Sequence, residues 1–175
     1  MPAEIVLTII ARDRPGLVQT VAETVAAHDG NWIDSAMARL GDEFAGIVRV
    51  LVPDDRVADL EQALAALTDQ GIAVTARRSG PVPESAGRAA SFELTGGDHP
   101  GIVRDISAAL AKHGASIDDL ETRVFPGSMS GEKMFSARAR IVLPDDLDAE
   151  ALRDELESIA HDIMVEIAFR EADEQ

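Results

Sequence analysis

Asp13-Arg14-Pro15-Gly16-Leu17-Val18 returns 85 positions later as Asp98-His99-Pro100-Gly101-Ile102-Val103. Each copy closes an apolar, β-rich run and opens a segment with helical spacing. In a chain of 175 residues, a repeat at about half the length marks a duplicated domain, because solenoid repeats recur every ~20–50 residues. Two units built alike, each with a Pro-Gly turn at the mouth of a helix, point to paired small-molecule sites rather than one catalytic cleft.

Working outward from the first copy, the pattern reads β-α-β-β-α-β. Ile5-Val6-Leu7-Thr8-Ile9-Ile10 is nearly continuous in apolar residues, as a buried central strand requires. Leu17, Val18, Val21 and Val25 recur at helical spacing, and Gly30 is read as the helix end. Trp32–Leu40 and Phe44–Val52 read as strands joined tightly through Gly41-Asp42-Glu43. Pro53-Asp54-Asp55 opens a second helix with Val57, Leu60, Leu64 and Leu67 on one face, Gly71 ends it, and Ile72–Ala76 closes the unit. The order repeats with a strand around Phe92 and Leu94 and a helix marked by Ile102, Val103, Ile106 and Leu110. Strands at Ser116–Phe125 and Phe135–Leu143, a helix marked by Leu152, Leu156 and Ile159, and a strand at Ile163–Phe169 complete it. Pro144-Asp145-Asp146 echoes Pro53-Asp54-Asp55, and both acidic pairs read as helix-start residues. The expected domains are 1–78 and 89–171, with a Pro/Gly/Ser-bearing linker at 79–88 and an acidic tail at 172–175. Aligning Ile33 with Ile117 assigns the second unit about seven extra residues, in the loop Pro126–Lys133.

A net charge of −16 and a pI near 4.5 argue against direct nucleic-acid binding, which needs Lys and Arg to displace phosphate counterions. They argue equally against adhesion to anionic membranes. The chain has no cysteine, which removes disulfides, thiolate metal sites and a cysteine nucleophile, and suits a cytoplasmic protein. No apolar segment nears the ~20 residues of a membrane span. The run Ile5–Ala11 is too short, and too uncharged in front, to read as a signal peptide.

The repeated turn is where chemistry concentrates. Pro is tolerated in a first helical turn, Asp13 is placed to cap, and Gly16 lets a ligand reach the backbone. Free N–H groups with the helix dipole behind them favour an anion such as a carboxylate. An amino acid also brings an ammonium, for which Asp13 or the Asn31 amide offers an oxygen. In the second frame Ala115 is read in place of that amide, leaving Asp98, Ser116 or a backbone carbonyl.

With Gly30-Asn31-Trp32-Ile33 and Gly114-Ala115-Ser116-Ile117 beside the two turns, the unit resembles the ACT domain, an amino-acid-sensing module of metabolic regulators. Two such units with nothing else resemble the glycine cleavage system transcriptional repressor family. The resemblance implies an α+β fold of two ferredoxin-like βαββαβ domains, each a four-stranded antiparallel sheet with two helices on one face. It implies ligand contacts at Asp13, Arg14, Pro15, Gly16, Leu17, Asn31 and Ile33, and at Asp98, His99, Pro100, Gly101, Ile102, Ser116 and Ile117, at domain interfaces. Of the other histidines, His28 and His113 read as helix C-terminal residues facing the dipole, and His161 falls near the second helix end. No spacing assembles a zinc site, and no nucleophile elbow is present.

The expected function is a non-enzymatic regulator, without cofactor or metal, that binds a small amino acid such as glycine or serine. It would signal to a protein partner such as a transcription regulator, in control of glycine or one-carbon gene expression, and form a homo-oligomer. The rival reading is a ligand-independent scaffold that uses sheet edges and the 126–133 loop. An unrecognised enzyme is a third, with no acid–base pair or nucleophile to support it.

Overall fold

Alternation along the strand Pro2–Arg12 (β1) decides which side of the first sheet carries helices. Ile5, Leu7, Ile9 and Ala11 are buried, while Thr8, Ile10 and Arg12 face away and are exposed. Successive side chains of a strand point to opposite faces, so one face only is available for a core. The computed structural model describes residues 1–80, 87–128 and 131–171. The first unit continues with α1 (Leu17–Ala27), β2 (Asn31–Leu40), β3 (Glu43–Pro53), a 3₁₀ turn at Asp54–Arg56, α2 (Val57–Ala66) and β4 (Ile72–Arg78). The second comprises β5 (Arg88–Gly97), α3 (Ile102–Lys112), β6 (Ser116–Pro126), β7 (Lys133–Leu143), α4 (Ala149–Asp162) and β8 (Val165–Glu171). The two compact units divide between β4 and β5. The residues 81–86 of the expected linker, residues 129–130 of the loop and the tail 172–175 lie outside the described residues.

Each unit is a four-stranded antiparallel sheet, ordered β2-β3-β1-β4 and β6-β7-β5-β8. This is the ferredoxin-like arrangement, with both helices packed on the apolar face. Leu17, Val21 and Val25 of α1 and Val57, Leu60 and Leu64 of α2 meet Ile5, Leu7, Val48 and Val50 in one core. Ile102, Ile106 and Leu110 of α3 and Leu152 and Leu156 of α4 meet Phe92, Leu94 and Ile141 in the other. No polar or charged residue is buried among the described residues, so both cores rest on apolar packing, aliphatic in the first and joined by Phe92 and Phe135 in the second. No helix among the described residues is long and apolar enough to cross a membrane.

Hydrogen bonds correct the alignment of the two units by one residue. α1 ends in a Schellman pair: Asp29 N donates to Ala26 O at 3.1 Å and Gly30 N to Val25 O at 3.0 Å. The same pair in α3 is Gly114 N to Ala111 O at 3.0 Å and Ala115 N to Leu110 O at 3.0 Å. Gly114 therefore matches Asp29, and both hold left-handed backbone, at φ 71° and 56°. Gly30 is not the left-handed residue of its helix end. It is small because a Cβ there would fall 2.7 Å from the Val25 side chain. Ala115 is thus the partner of Gly30, Ser116 of Asn31 and Ile117 of Trp32. Cross-strand registers agree, with Trp32 opposite Val50, Ile117 opposite Ile141, and a bulge at Ile33 and at Asp118. The amide of Asn31 is consequently answered by the Ser116 hydroxyl, and Ala115 is no departure from it.

The insertion is corrected with it. Leu40 pairs with Glu43 across two residues, whereas Phe125 pairs with Met134 across eight. The second hairpin is six residues longer, not seven. Its first extra rung pairs Pro126 with Lys133, followed by Gly127 N donating to Glu132 O at 2.8 Å. The helix-start acids also differ from expectation. Asp54 and Asp55 form the 3₁₀ turn, and α4 is capped by Asp148, whose carboxylate accepts from Glu150 N and Ala151 N.

Because the cores are separate, Leu64→Ala and its counterpart Leu156→Ala should each cost about 2–5 kcal/mol. Hydrogen exchange will check this: Leu64→Ala should deprotect β1 and β3 while β5 and β7 stay protected, and Leu156→Ala the reverse.

Candidate functional site

Strand β1 runs into its helix through a turn that is anchored twice. Asp13 N donates to Asp42 O at 2.9 Å, and Asp98 N donates to Lys133 O at 2.9 Å. The residue after Asp then reaches the far end of the unit's second helical segment. Arg14 Nη2 donates to Gln70 O at 2.6 Å, and His99 Nε2 lies 3.1 Å from Ile163 O. These carbonyls are the orphans of a helix end. Arg14 and His99 thus pin the turn to the body of each unit, whatever else they touch.

Gly16 and Gly101 are the helix N-caps, at φ 89° and 104°. Left-handed backbone at that point is what glycine provides without strain. The first helical bonds run from Thr20 N to Gly16 O and from Asp105 N to Gly101 O, both 2.9 Å. No side chain caps either helix. The expected Asp13 cap does not form: its Oδ2 instead accepts from Arg39 Nη1 at 3.3 Å. Pro15 and Pro100 stand before the cap rather than inside the first turn. The N–H groups of Leu17, Val18 and Gln19 accordingly have no acceptor among the described residues.

These groups open onto a shallow cavity of about 260 Å³ lined by Asp13, Arg14, Gly16, Leu17, Val18, Gln19 and Phe44. Four expected residues are brought together here: Asp13, Arg14, Gly16 and Leu17. Asn31 and Ile33 do not line it, and lie exposed at the start of β2. Val18, Gln19 and Phe44 were not anticipated. The first two follow from which helix N–H groups stay unpaired; Phe44 enters because it sits beside the Asp42–Asp13 anchor, which only strand register reveals.

The second turn has the same backbone and different surroundings. A Cβ at Gly16 would meet nothing within 4 Å, whereas one at Gly101 would lie 3.1 Å from Arg104 Nη2 and 3.7 Å from Asp105 Oδ2. Arg104 Nε and Asp105 Oδ1 are 2.7 Å apart. That hydrogen bond holds the Asp105 carboxyl below its usual range; desolvation opposes it, and the charges of Arg104 and His99 add to it. The unit's own ion pair leans over the place that is open in the first unit. Ser116 and Ile117 are exposed at the start of β6. Ile102 and Ile117 line an apolar void of about 20 Å³ with Phe92, Leu94 and Leu120, room for no more than one water, and lacking the polar partners a water needs.

At the other end of α3, Lys112 Nζ donates to both Glu155 oxygens at 2.9 Å, and His113 Nε2 lies 2.7 Å from Glu155 Oε2. The hydrogen bonds from Lys112 and then His113 hold the Glu155 carboxyl below its ordinary value, against desolvation. His28, the counterpart of His113, turns Nδ1 to Thr24 O at 2.8 Å. Among the described residues, no group of three or more metal-ligating side chains converges.

Comparison with known proteins matches residues 3–76 and residues 90–161 each to an ACT-domain model. A glycine cleavage system transcriptional repressor of Escherichia coli (strain K12) is 29% identical over 128 residues, which cover 70% of this chain and 65% of that protein, so the match leaves about a third of the relative unspanned. The crystal structure of an unknown protein from Galdieria sulphuraria superposes with a TM-score of 0.84 at 28% identity, covering 99% of this chain and 100% of the other. A structure provisionally assigned as a glycine cleavage system transcriptional repressor shares the fold, with a TM-score of 0.71 at 17% identity over 99% of both chains.

The Glu155 contacts carry a pH dependence of defined sign. A carboxyl whose folded value is depressed stabilises the fold above its unfolded value, and that contribution disappears as pH falls through the folded one. Acid titration of stability, followed by denaturant melts, should therefore show a smaller loss below the usual carboxylate range in Glu155→Gln than in the parent. At neutral pH Glu155→Gln should be the less stable of the two.

Proposed function

The chain belongs to the ACT-domain family, in two tandem copies, and on that premise we propose that it is a non-enzymatic, cytoplasmic regulator whose first unit binds a small α-amino acid. The carrying observation is the open N-terminal turn of α1, with unpaired N–H groups at Leu17, Val18 and Gln19 beside the Asp13 carboxylate. A ligand carboxylate is suited to those N–H groups and to the positive end of the helix dipole. The ligand ammonium is suited to Asp13, whose present partner Arg39 is exposed and at 3.3 Å, a contact of little net worth at a surface. The cavity, about 260 Å³, lies below the ~300–1,000 Å³ of drug-sized pockets, which favours glycine or serine over a large side chain. Asn31, Ile33 and the second-unit residues Asp98, His99, Pro100, Gly101, Ile102, Ser116 and Ile117 come near such a ligand only if a neighbouring unit is brought to the turn. In the second unit the Arg104–Asp105 pair competes with a ligand for the space by Gly101, so the first unit is the sensor.

Regulation follows by linkage. A ligand that binds one arrangement of the units better than another shifts the population toward it, by no more than its differential affinity. The likeness to a glycine cleavage system transcriptional repressor supports an output in transcription of glycine or one-carbon genes. A net charge of −16 makes a protein partner, such as a transcription regulator, the better recipient than DNA itself. The alternative, a ligand-independent scaffold acting through sheet edges and the 126–133 loop, is favoured by the exposure of ten of the eleven residues of the outer strand β6.

Thermal-shift screening of the common amino acids tests the sensor directly. Ligand at 100 times its Kd adds about 2.7 kcal/mol at one site, a rise of several degrees in Tm at this size. Gly16→Asp should abolish the shift, while Gly16→Ala, which shares the roughly 1 kcal/mol backbone cost and adds no charge, should keep most of it. Equal affinity in Gly16→Asp and the parent would sink the first-unit site, and no hit at millimolar ligand would leave the scaffold.

A further inference from the structure

Thr20 stands one turn into α1 and does not line the cavity. It nevertheless grips a peptide that does. Gly16 O accepts twice from this one residue, from Thr20 N at 2.9 Å and from Thr20 Oγ1 at 2.9 Å. Gly16 C=O and Leu17 N–H belong to the same trans peptide, so they share one plane and point in opposite directions. Fixing the oxygen toward the helix therefore fixes Leu17 N–H outward, toward the cavity. That plane is joined to a glycine at φ 89°, the residue with the least intrinsic restraint. A helical hydroxyl that returns to the i−4 carbonyl adds nothing to helix stability and tends to bend the helix. Helix formation thus gives no reason for a hydroxyl at this position.

We propose that Thr20 is a positioning residue for the amino-acid site, its hydroxyl orienting and polarising Leu17 N–H for the ligand carboxylate. This role presupposes the amino-acid reading of the first turn, and Thr20 acts on the ligand only through that peptide. The second hydrogen bond narrows the swing of the peptide plane before a ligand arrives, which reduces the ordering that binding must supply. It also draws electron density toward Gly16 O. Hydrogen bonds in series strengthen one another by roughly 10–30% each, so Leu17 N–H becomes the better donor. The second unit supplies the contrast. Asp105 N donates to Gly101 O at 2.9 Å as Thr20 N does to Gly16 O, so Asp105 holds the same helical position. An ionised carboxylate has no proton to donate, and Asp105 accepts from Arg104 Nε at 2.7 Å instead. Among the described residues the Gly101–Ile102 peptide therefore lacks the second grip. Thr24 provides a control within α1. Its Oγ1 donates to Thr20 O at 2.9 Å, but the N–H of that peptide, on Val21, lies inside α1 and is spent on the helix.

Calorimetry with glycine and with serine on the full chain tests this role, alongside melts of the ligand-free protein. Thr20→Val, which keeps the shape and removes the hydroxyl, should raise Kd roughly threefold or more. Its ligand-free Tm should hold or rise. Thr20→Ser should keep an affinity close to the parent's, and Thr24→Val should leave it unchanged. In the ligand-free protein the Leu17 amide nitrogen resonance should move in Thr20→Val and hold in Thr20→Ser. Tm and affinity falling together, with Thr24→Val behaving like Thr20→Val, would mark a purely structural role and overturn the inference. Unchanged affinity in Thr20→Val, an unmoved Leu17 resonance, or a Thr20→Ser variant as weak as Thr20→Val would overturn it too, and each leaves the amino-acid site standing. A parent that binds neither ligand ends both.

Discussion

One-sided coverage of a four-stranded sheet is the constraint from which the rest of this structure follows. Two helices supply enough apolar surface for one face, so every strand must sort its side chains between a core and water. The central strands β1 and β5 do this by strict alternation, with Leu7 and Leu94 buried and Thr8 and Thr95 exposed. The crossover from a central strand into its helix must then take place in a short turn at the rim of the sheet. Left-handed glycine at the helix entry, with no side chain acting as cap, is how this chain makes the turn. The same geometry leaves three helix N–H groups without acceptors, and that is the electrostatic basis of the candidate site.

Duplication has kept the frame and altered its edges. Both turns are pinned to the end of the second helical segment, through an Arg in one unit and a His in the other. At the first turn a Cβ on the glycine would meet nothing within 4 Å; at the second the exposed Arg104 guanidinium lies 3.1 Å from that position. The outer strands differ as well. Trp32 and Met37 of β2 pack against the first core, whereas Ile117 and Leu120 of β6 border an apolar void beside the second.

Much of this was legible in the sequence because it rests on short-range rules. The repeated Asp-X-Pro-Gly turns, the helical spacing of Val21 and Val25 or Leu152 and Leu156, and the period-two runs place every strand and helix to within a few residues. Sequence misleads where two residues look alike and act differently. Gly30 and Gly114 look equivalent, yet Gly114 holds left-handed backbone and Gly30 makes room for Val25. Aligning the two glycines shifts the units by one position, so that Ala115 looks like a lost amide and the second hairpin one residue too long. Asp13 looked like a cap because its type and position fit; Arg39, remote in sequence and adjacent across the strands, takes its carboxylate instead.

The sequence by itself determined the duplication, the ferredoxin-like order of elements and the place of the turns, since each depends on residue type and spacing along the chain. Only the tertiary structure decided what surrounds each turn, what Arg14 and His99 hold and which residue answers Asn31. Those outcomes depend on strand register and on side chains meeting from distant positions, and no local propensity encodes where two separated segments will touch.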